Sequence, residues 1–213
     1  MDRNRTAQFL RRGNDGSGPQ GGLIMDSSGN LYGTTYGGGA TTYGTVFELS
    51  PSSDSAWTLT VLHSFGTAGD GIYPVASLIM DESGNLYGTT EGGGLYGSGT
   101  AFKLTSANGA WTEEEIVGFE GGVKDGAAPT GRLLPDKKGN LYGTTSLGGP
   151  NNSGTVFRLS GAPWRKTILH SFGNSGDGRN PYAGLITDST GALYGTTYGG
   201  GANGHGTVFK LVP

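Results

Sequence analysis

The segment Asn30-Leu-Tyr-Gly-Thr-Thr35 returns at 85–90, at 140–145 and, with Ala192 in place of Asn, at 192–197. Its tyrosines stand at 32, 87, 142 and 194, so the spacings are 55, 55 and 52 residues. A second marker, Gly-Thr-(Val/Ala)-Phe-x-Leu, keeps step at 44–49, 99–104, 154–159 and 206–211. Self-similarity at a fixed period of this length marks a stacked or circular repeat architecture, in which each unit buries its apolar face only against its neighbours. The same fact disciplines any functional reading. A residue present in every unit is explained first as scaffold.

Within residues 21–74, Gly22-Leu-Ile-Met25 is a short apolar run and Asp26-Ser-Ser-Gly-Asn30 reads as a turn. Leu31–Thr35 follows, then the loop 36–43, the alternating run Thr45–Leu49, and the longest strand, Trp57–Phe65. No stretch has a helical period. Four antiparallel strands per repeat, labelled A to D in chain order and joined by hairpins, form the blade of a β-propeller. The repeats are expected at 21–74, 75–129, 130–181 and 182–213, in one domain spanning 1–213. The last repeat stops after its strand C, whereas residues 5–12 resemble the tail of a strand D. The expected fold is therefore all-β, a four-bladed propeller closed by the N-terminal strand completing the last blade. That pairing removes two exposed sheet edges at once. Donation of the same strand to a neighbouring molecule is the alternative, giving a swapped dimer or an open filament; a monomer is favoured.

Composition narrows the partners. Glycine and proline contribute 44 and 9 of the 213 residues, about a quarter of the chain, but they fall at fixed turn positions rather than in low-complexity tracts. Charged residues are only 15 %, and the net charge of −3 leaves no basic stripe for nucleic acid. No apolar run reaches the ~20 residues of a membrane helix, and the first residues lack the apolar core of a signal peptide. With no cysteine, disulfides and zinc–thiolate sites are absent.

The segments Leu-Ile-Met-Asp-x-x-Gly-Asn-Leu-Tyr-Gly-Thr-Thr, Tyr-Gly-Gly-Gly-Ala-Asn-Gly-His-Gly-Thr-Val-Phe-Lys-Leu and Leu-His-Ser-Phe-Gly…Asp-Gly together resemble the GloVer-type tandem repeat. That family is named for the Gloeobacter and Verrucomicrobia proteins in which such repeats are common. The resemblance spans essentially the whole chain, and Asp-x-x-Gly-Asn-Leu-Tyr is also similar to the blade core of NHL-type propellers. What it implies is an exported or cell-surface bacterial protein, with no reaction attached to the repeat.

With this strand order the D-to-A crossovers and the B-to-C loops are expected on one face. It would gather Asp15, Asp70, Asp125 and Asp177, a candidate seat for Ca²⁺ at the mouth of the central channel. The competing explanation is that each Asp caps its own turn. The B–C loops are where the repeats diverge. They offer Tyr36, Tyr43, Tyr96, Tyr198 and His205 as aromatic contacts for a polysaccharide or a surface protein, unless the rings pack between blades. Catalytic signals are weak: His63 and His170 share one place in strand D, and no nucleophile–base set stands out. The expected function is a non-catalytic binding or structural module. A glycosidase or lyase on a propeller scaffold and a self-assembling surface or filament protein are the alternatives.

Overall fold

The computed structural model describes residues 7–9, 14–52 and 56–213. Each repeat builds an antiparallel sheet in chain order. The first comprises Ile24–Met25, Leu31–Thr35, Thr45–Pro51 and Trp57–Ser64. The second comprises Ile79–Met80, Leu86–Thr90, Thr100–Ala107 and Ala110–Gly118. The third has Leu134–Pro135, Leu141–Gly148, Thr155–Ser160 and Arg165–Ser171. The fourth has Ile186–Thr187, Leu193–Thr197 and Thr207–Leu211. The chain is an all-β, four-bladed β-propeller. No helix among the described residues is long and apolar enough to cross a membrane.

The recurring Asp-x-x-Gly-Asn-Leu-Tyr is a self-contained cage between strands A and B. Asp26 Oδ1 accepts the backbone N–H of Ser28 and Asn30 at 2.8 and 2.9 Å. Its Oδ2 accepts the Asn30 amide at 2.9 Å and the Tyr32 hydroxyl at 3.1 Å. Asp81 and Asp136 repeat all four bonds. In the fourth repeat Ala192 cannot donate from its side chain, and the Thr190 hydroxyl donates to Asp188 Oδ1 at 2.6 Å instead. Burial alone would raise these carboxyls, but the donated hydrogen bonds outweigh it and hold Asp26, Asp81 and Asp136 below their ordinary value. The motif is thus turn chemistry.

Within a blade, the glycine of Leu-Tyr-Gly-Thr-Thr lies directly opposite the strand-C phenylalanine: Gly33 pairs with Phe47 and Gly143 with Phe157. A Cβ on Gly143 would stand 2.4 Å from Phe157 Cζ. At each of these glycines the space a Cβ would need is taken by the ring of the strand-C phenylalanine. Buried threonine hydroxyls also pair across the B and C strands, Thr35 with Thr45, Thr90 with Thr100 and Thr145 with Thr155, each at 2.8 Å.

The apolar cores form between blades. One cluster joins Val46 and Phe65 of the first repeat to Leu78, Phe102 and Leu104 of the second. A second joins Ile116 and Phe119 to Phe157 and Leu159, and a third joins Val156 and Phe172 to Leu185 and Leu193. Each junction carries the same edge-to-face pair, Phe65 on Phe102, Phe119 on Phe157 and Phe172 on Phe209, all with centroids 5.0 Å apart. Tryptophan from the following blade's strand D leans on tyrosine, as Trp111 does on Tyr32 and Trp164 on Tyr87, both at 6.3 Å. Such aromatic pairs add roughly 0.5–1.5 kcal/mol beyond their burial.

The closing strand expected over 5–12 falls mostly outside the described residues; residues 7–9 are described and are not in a strand. The flanks of the fourth and first blades differ from the internal junctions. Leu23 is 52 % exposed, whereas its counterparts Leu78, Leu133 and Leu185 are buried. Val208 is 81 % exposed, whereas its counterparts Val46, Ala101 and Val156 are fully buried, and Ile186 is 69 % exposed where its counterpart Ile79 is buried.

Candidate ligand-binding face

Short ladders place the D–A crossovers and the B–C loops together, as the strand order requires. Gly16–Ser17 pairs with Gly37–Gly38, Gly71–Ile72 with Gly92–Gly93, and Gly178–Arg179 with Gly199–Gly200. In the third repeat Gly126–Pro129 runs along the extended strand Leu141–Gly148. The last two glycines of each Gly-Gly run are at positive φ, for example 76° at Gly38 and 81° at Gly39, which a Cβ would oppose. Bridges from Gly38 to Tyr43, Gly93 to Ser98 and Gly200 to His205 then close the loop tips.

All five expected loop residues, Tyr36, Tyr43, Tyr96, Tyr198 and His205, are solvent-exposed. The structure gathers only some of them. Tyr36 stacks on Tyr73 with centroids 4.6 Å apart and planes within 13°, and Tyr43 meets the same ring edge-on at 5.6 Å. Tyr198, 79 % exposed, meets Tyr182 at 5.8 Å. Tyr96 belongs to another loop, and His205, at the far end of Tyr198's own loop, makes no ring contact with either pair among those described.

Tyr73 and Tyr182 were not expected, because both belong to the D–A linkers rather than to the divergent loops. The signal for Tyr73 is the proline that follows it. In each linker the residue before the corresponding proline is left-handed: Gly18 at 65°, Tyr73 at 61°, Ala128 at 53° and Asn180 at 56°. Tyr73 is held there by its N–H donating to the Tyr43 carbonyl at 2.9 Å and its own carbonyl accepting from Glu91 N–H at 3.0 Å. A bulky side chain at positive φ is an outlier that surrounding bonds must impose.

Three of the four linker aspartates, Asp70, Asp125 and Asp177, use their carboxylates in their own turns. Asp70 Oδ1 accepts Gly71 N–H at 2.7 Å, and its Oδ2 accepts Gly66 N–H at 3.1 Å. Asp125 does the same for Gly126 and Glu120, and Asp177 for Gly178. Asp15 carries its backbone carbonyl to Gly39 N–H at 3.1 Å. Among the described residues the four carboxylates do not gather into one group within metal-ligating reach.

Each of the last three aspartates instead meets a basic side chain. His63 Nε2 lies 3.0 Å from Asp70 Oδ2, and His170 Nε2 lies 2.9 Å from Asp177 Oδ2. Where the second repeat has Gly118 instead of His, Lys166 reaches in from the third blade, 2.5 Å from Asp125 Oδ2 and 2.6 Å from the Gly118 carbonyl. Glu113 holds the matching register in the second blade, and burial, reinforced by the Asp70 charge, pushes its carboxyl up to about 7. These histidines are therefore partnered, although no hydroxyl nucleophile joins either pair among the bonds described.

No curated protein matches the chain. The match that exists lies in the period itself: residues 3–209 fit the Gloeobacter/Verrucomicrobia repeat, and with cages, loops and junctions recurring at that period, the chain belongs to this repeat family.

Proposed function

We propose that this chain is a non-catalytic binding module of an exported or cell-surface protein, and that its loop face takes a polysaccharide. The repeat family and the propeller fold support a binding or structural module. The finer reading rests on one observation, the Tyr36–Tyr73–Tyr43 cluster of rings on the loop face. Exposed rings in Gly-, Ser- and Asn-rich loops give apolar contact to sugar faces with hydrogen-bonding groups beside them.

The test is a glycan array followed by titration of the intact protein with the polysaccharide found. Tyr73→Gly keeps the backbone that Gly18 already adopts and removes the ring. Binding should fall at least about tenfold, as loss of an aromatic hot spot does. Undiminished binding would move the ligand off this cluster. New reducing ends or unsaturated sugars in the mixture would make the protein a glycosidase or lyase instead.

A second reading, assembly, is favoured by the exposed Leu23, Ile186 and Val208. Leu23 and Val208 match positions that every internal junction buries, and Ile186 matches Ile79, which is buried between the second and third blades, so the first and fourth blades offer complementary halves of one interface. A second copy seated head to tail would fill both. Light scattering of the intact chain and of Val208→Lys checks it. Growth in mass with concentration, abolished by Val208→Lys, supports assembly; a monomer at every concentration removes it.

A further inference from the structure

The first two internal junctions differ in one respect that none of the motifs announces. Behind Asp70 and behind Asp125 is a small polar chamber, formed by the end of one blade's strand D and the middle of the next blade's. At the junction of the second and third blades it contains a cation: the Lys166 ammonium sits between Asp125 Oδ2 and the Gly118 carbonyl. At the junction of the first and second blades the same register carries Glu113, so two carboxylates face one another across His63. Ligand atoms of His63, Asp70 and Glu113 all lie within 4.8 Å of one another. The Asp70 side chain is only 5 % exposed, and Glu113 Oε1 is sealed from solvent without a hydrogen-bond partner.

A buried carboxylate oxygen with nothing to accept from is costly, more so beside a second carboxylate. The chamber is one cation short of its counterpart. Among the described residues the ion pair recorded for Asp70 is with His63, and a histidine ring supplies at most a single charge against two carboxylates.

We propose that His63, Asp70 and Glu113 form a site for a divalent transition metal of the zinc class, which ties the first blade to the second. One imidazole nitrogen with two carboxylate oxygens is a donor set of zinc-type ions, whereas calcium takes oxygen donors alone. The Gly66 and Gly71 N–H groups bonded to Asp70 act as the outer partners that orient a ligating carboxylate. The metal does at this junction what the Lys166 ammonium does at the next. The His170–Asp177 pair has the same first two members, and no third carboxylate lies within reach of it among the described residues.

The experiment is calorimetric titration of chelator-treated protein with Zn²⁺ near neutral pH, paired with thermal melts. A single saturable site per chain is expected, with a higher Tm on zinc addition that excess Ca²⁺ does not reproduce. His63→Ala and Glu113→Gln should each weaken zinc by more than about tenfold, the lower bound seen even for outer-shell partners. His170→Ala should bind as the parent does. Glu113→Leu places at this register the residue type that Leu59 provides in the first blade, and its Tm should no longer respond to zinc. Absence of saturable binding, equal affinity in Glu113→Gln, or loss of binding in His170→Ala would each overturn the assignment.

Discussion

Phe9 meets Phe47 edge-on, with ring centroids 5.0 Å apart and planes at 76°, and so takes on the first blade the seat that Phe65 takes on the second. Phe9 is not in a strand, yet its ring covers the first blade at the place where each internal junction has the phenylalanine that follows strand D. The same pair at the second junction, Phe119 on Phe157, is fully buried. Phe157→Ala is expected to cost about 3–5 kcal/mol in urea unfolding, as core aromatic truncations do. A loss below about 1 kcal/mol would place the ring outside the core.

The glycine facing that ring should be as sensitive for the opposite reason. A methyl group on Gly143 would stand 2.4 Å from Phe157 Cζ. Gly143→Ala should therefore destabilise by roughly 1–3 kcal/mol through overpacking, measured by the same unfolding. Combining it with Phe157→Leu should recover part of the loss, because the two changes share one space. Strict additivity would mean that the clash is elsewhere.

Lys166→Met tests the cation at the second junction. The change keeps the apolar stem beside Phe119, whose ring centroid is 4.4 Å from Nζ, but strands Asp125, whose side chain is 9 % exposed. A cost of about 3 kcal/mol is expected for removing one partner of a buried pair. A change under about 1 kcal/mol would mean that the backbone N–H groups of Glu120 and Gly126 satisfy Asp125 by themselves.

Acid should act on the A–B cages. Asp136 titrates below its ordinary value of 3.8 in the folded chain, so its contribution is fully present above that pH and is lost as pH falls through the folded value. Thermal melts from pH 5 down to about 2 should show a falling Tm. Asp136→Asn should begin lower at pH 5 and lose less over the interval. A parallel slope in both proteins would remove the cage from the account of acid sensitivity.

The architecture was legible because period and chemistry coincide. Asp26, Thr35 and their copies each answer to a bond found within the same repeat, so one repeat suffices to read them, whereas Phe47 and its copies meet rings from outside their own repeat. The turn-capping role of Asp70, Asp125 and Asp177 followed from the same local logic. Tyr73 was hidden by its place in a linker that otherwise reads as a plain Asp-Gly turn. Glu113 was hidden for a different reason. Its meaning depends on which residue of the preceding blade it faces, and spacing along one strand carries no information about the register between two. The flank residues Leu23 and Val208 look identical in sequence to their buried counterparts, since exposure there is decided by what stands next to a blade rather than by the blade.

The glycine ladders that fasten each crossover to its loop have a consequence for how this surface can change. Both feet of every loop are locked to backbone, so the few residues at each tip contribute nothing to holding the frame. Swapping Leu95-Tyr96 for Ala202-Asn203 alters what one corner of the face presents while leaving the other three corners where they were. The molecule behaves as a fixed handle with four interchangeable fingertips, in which a new preference can be acquired one corner at a time.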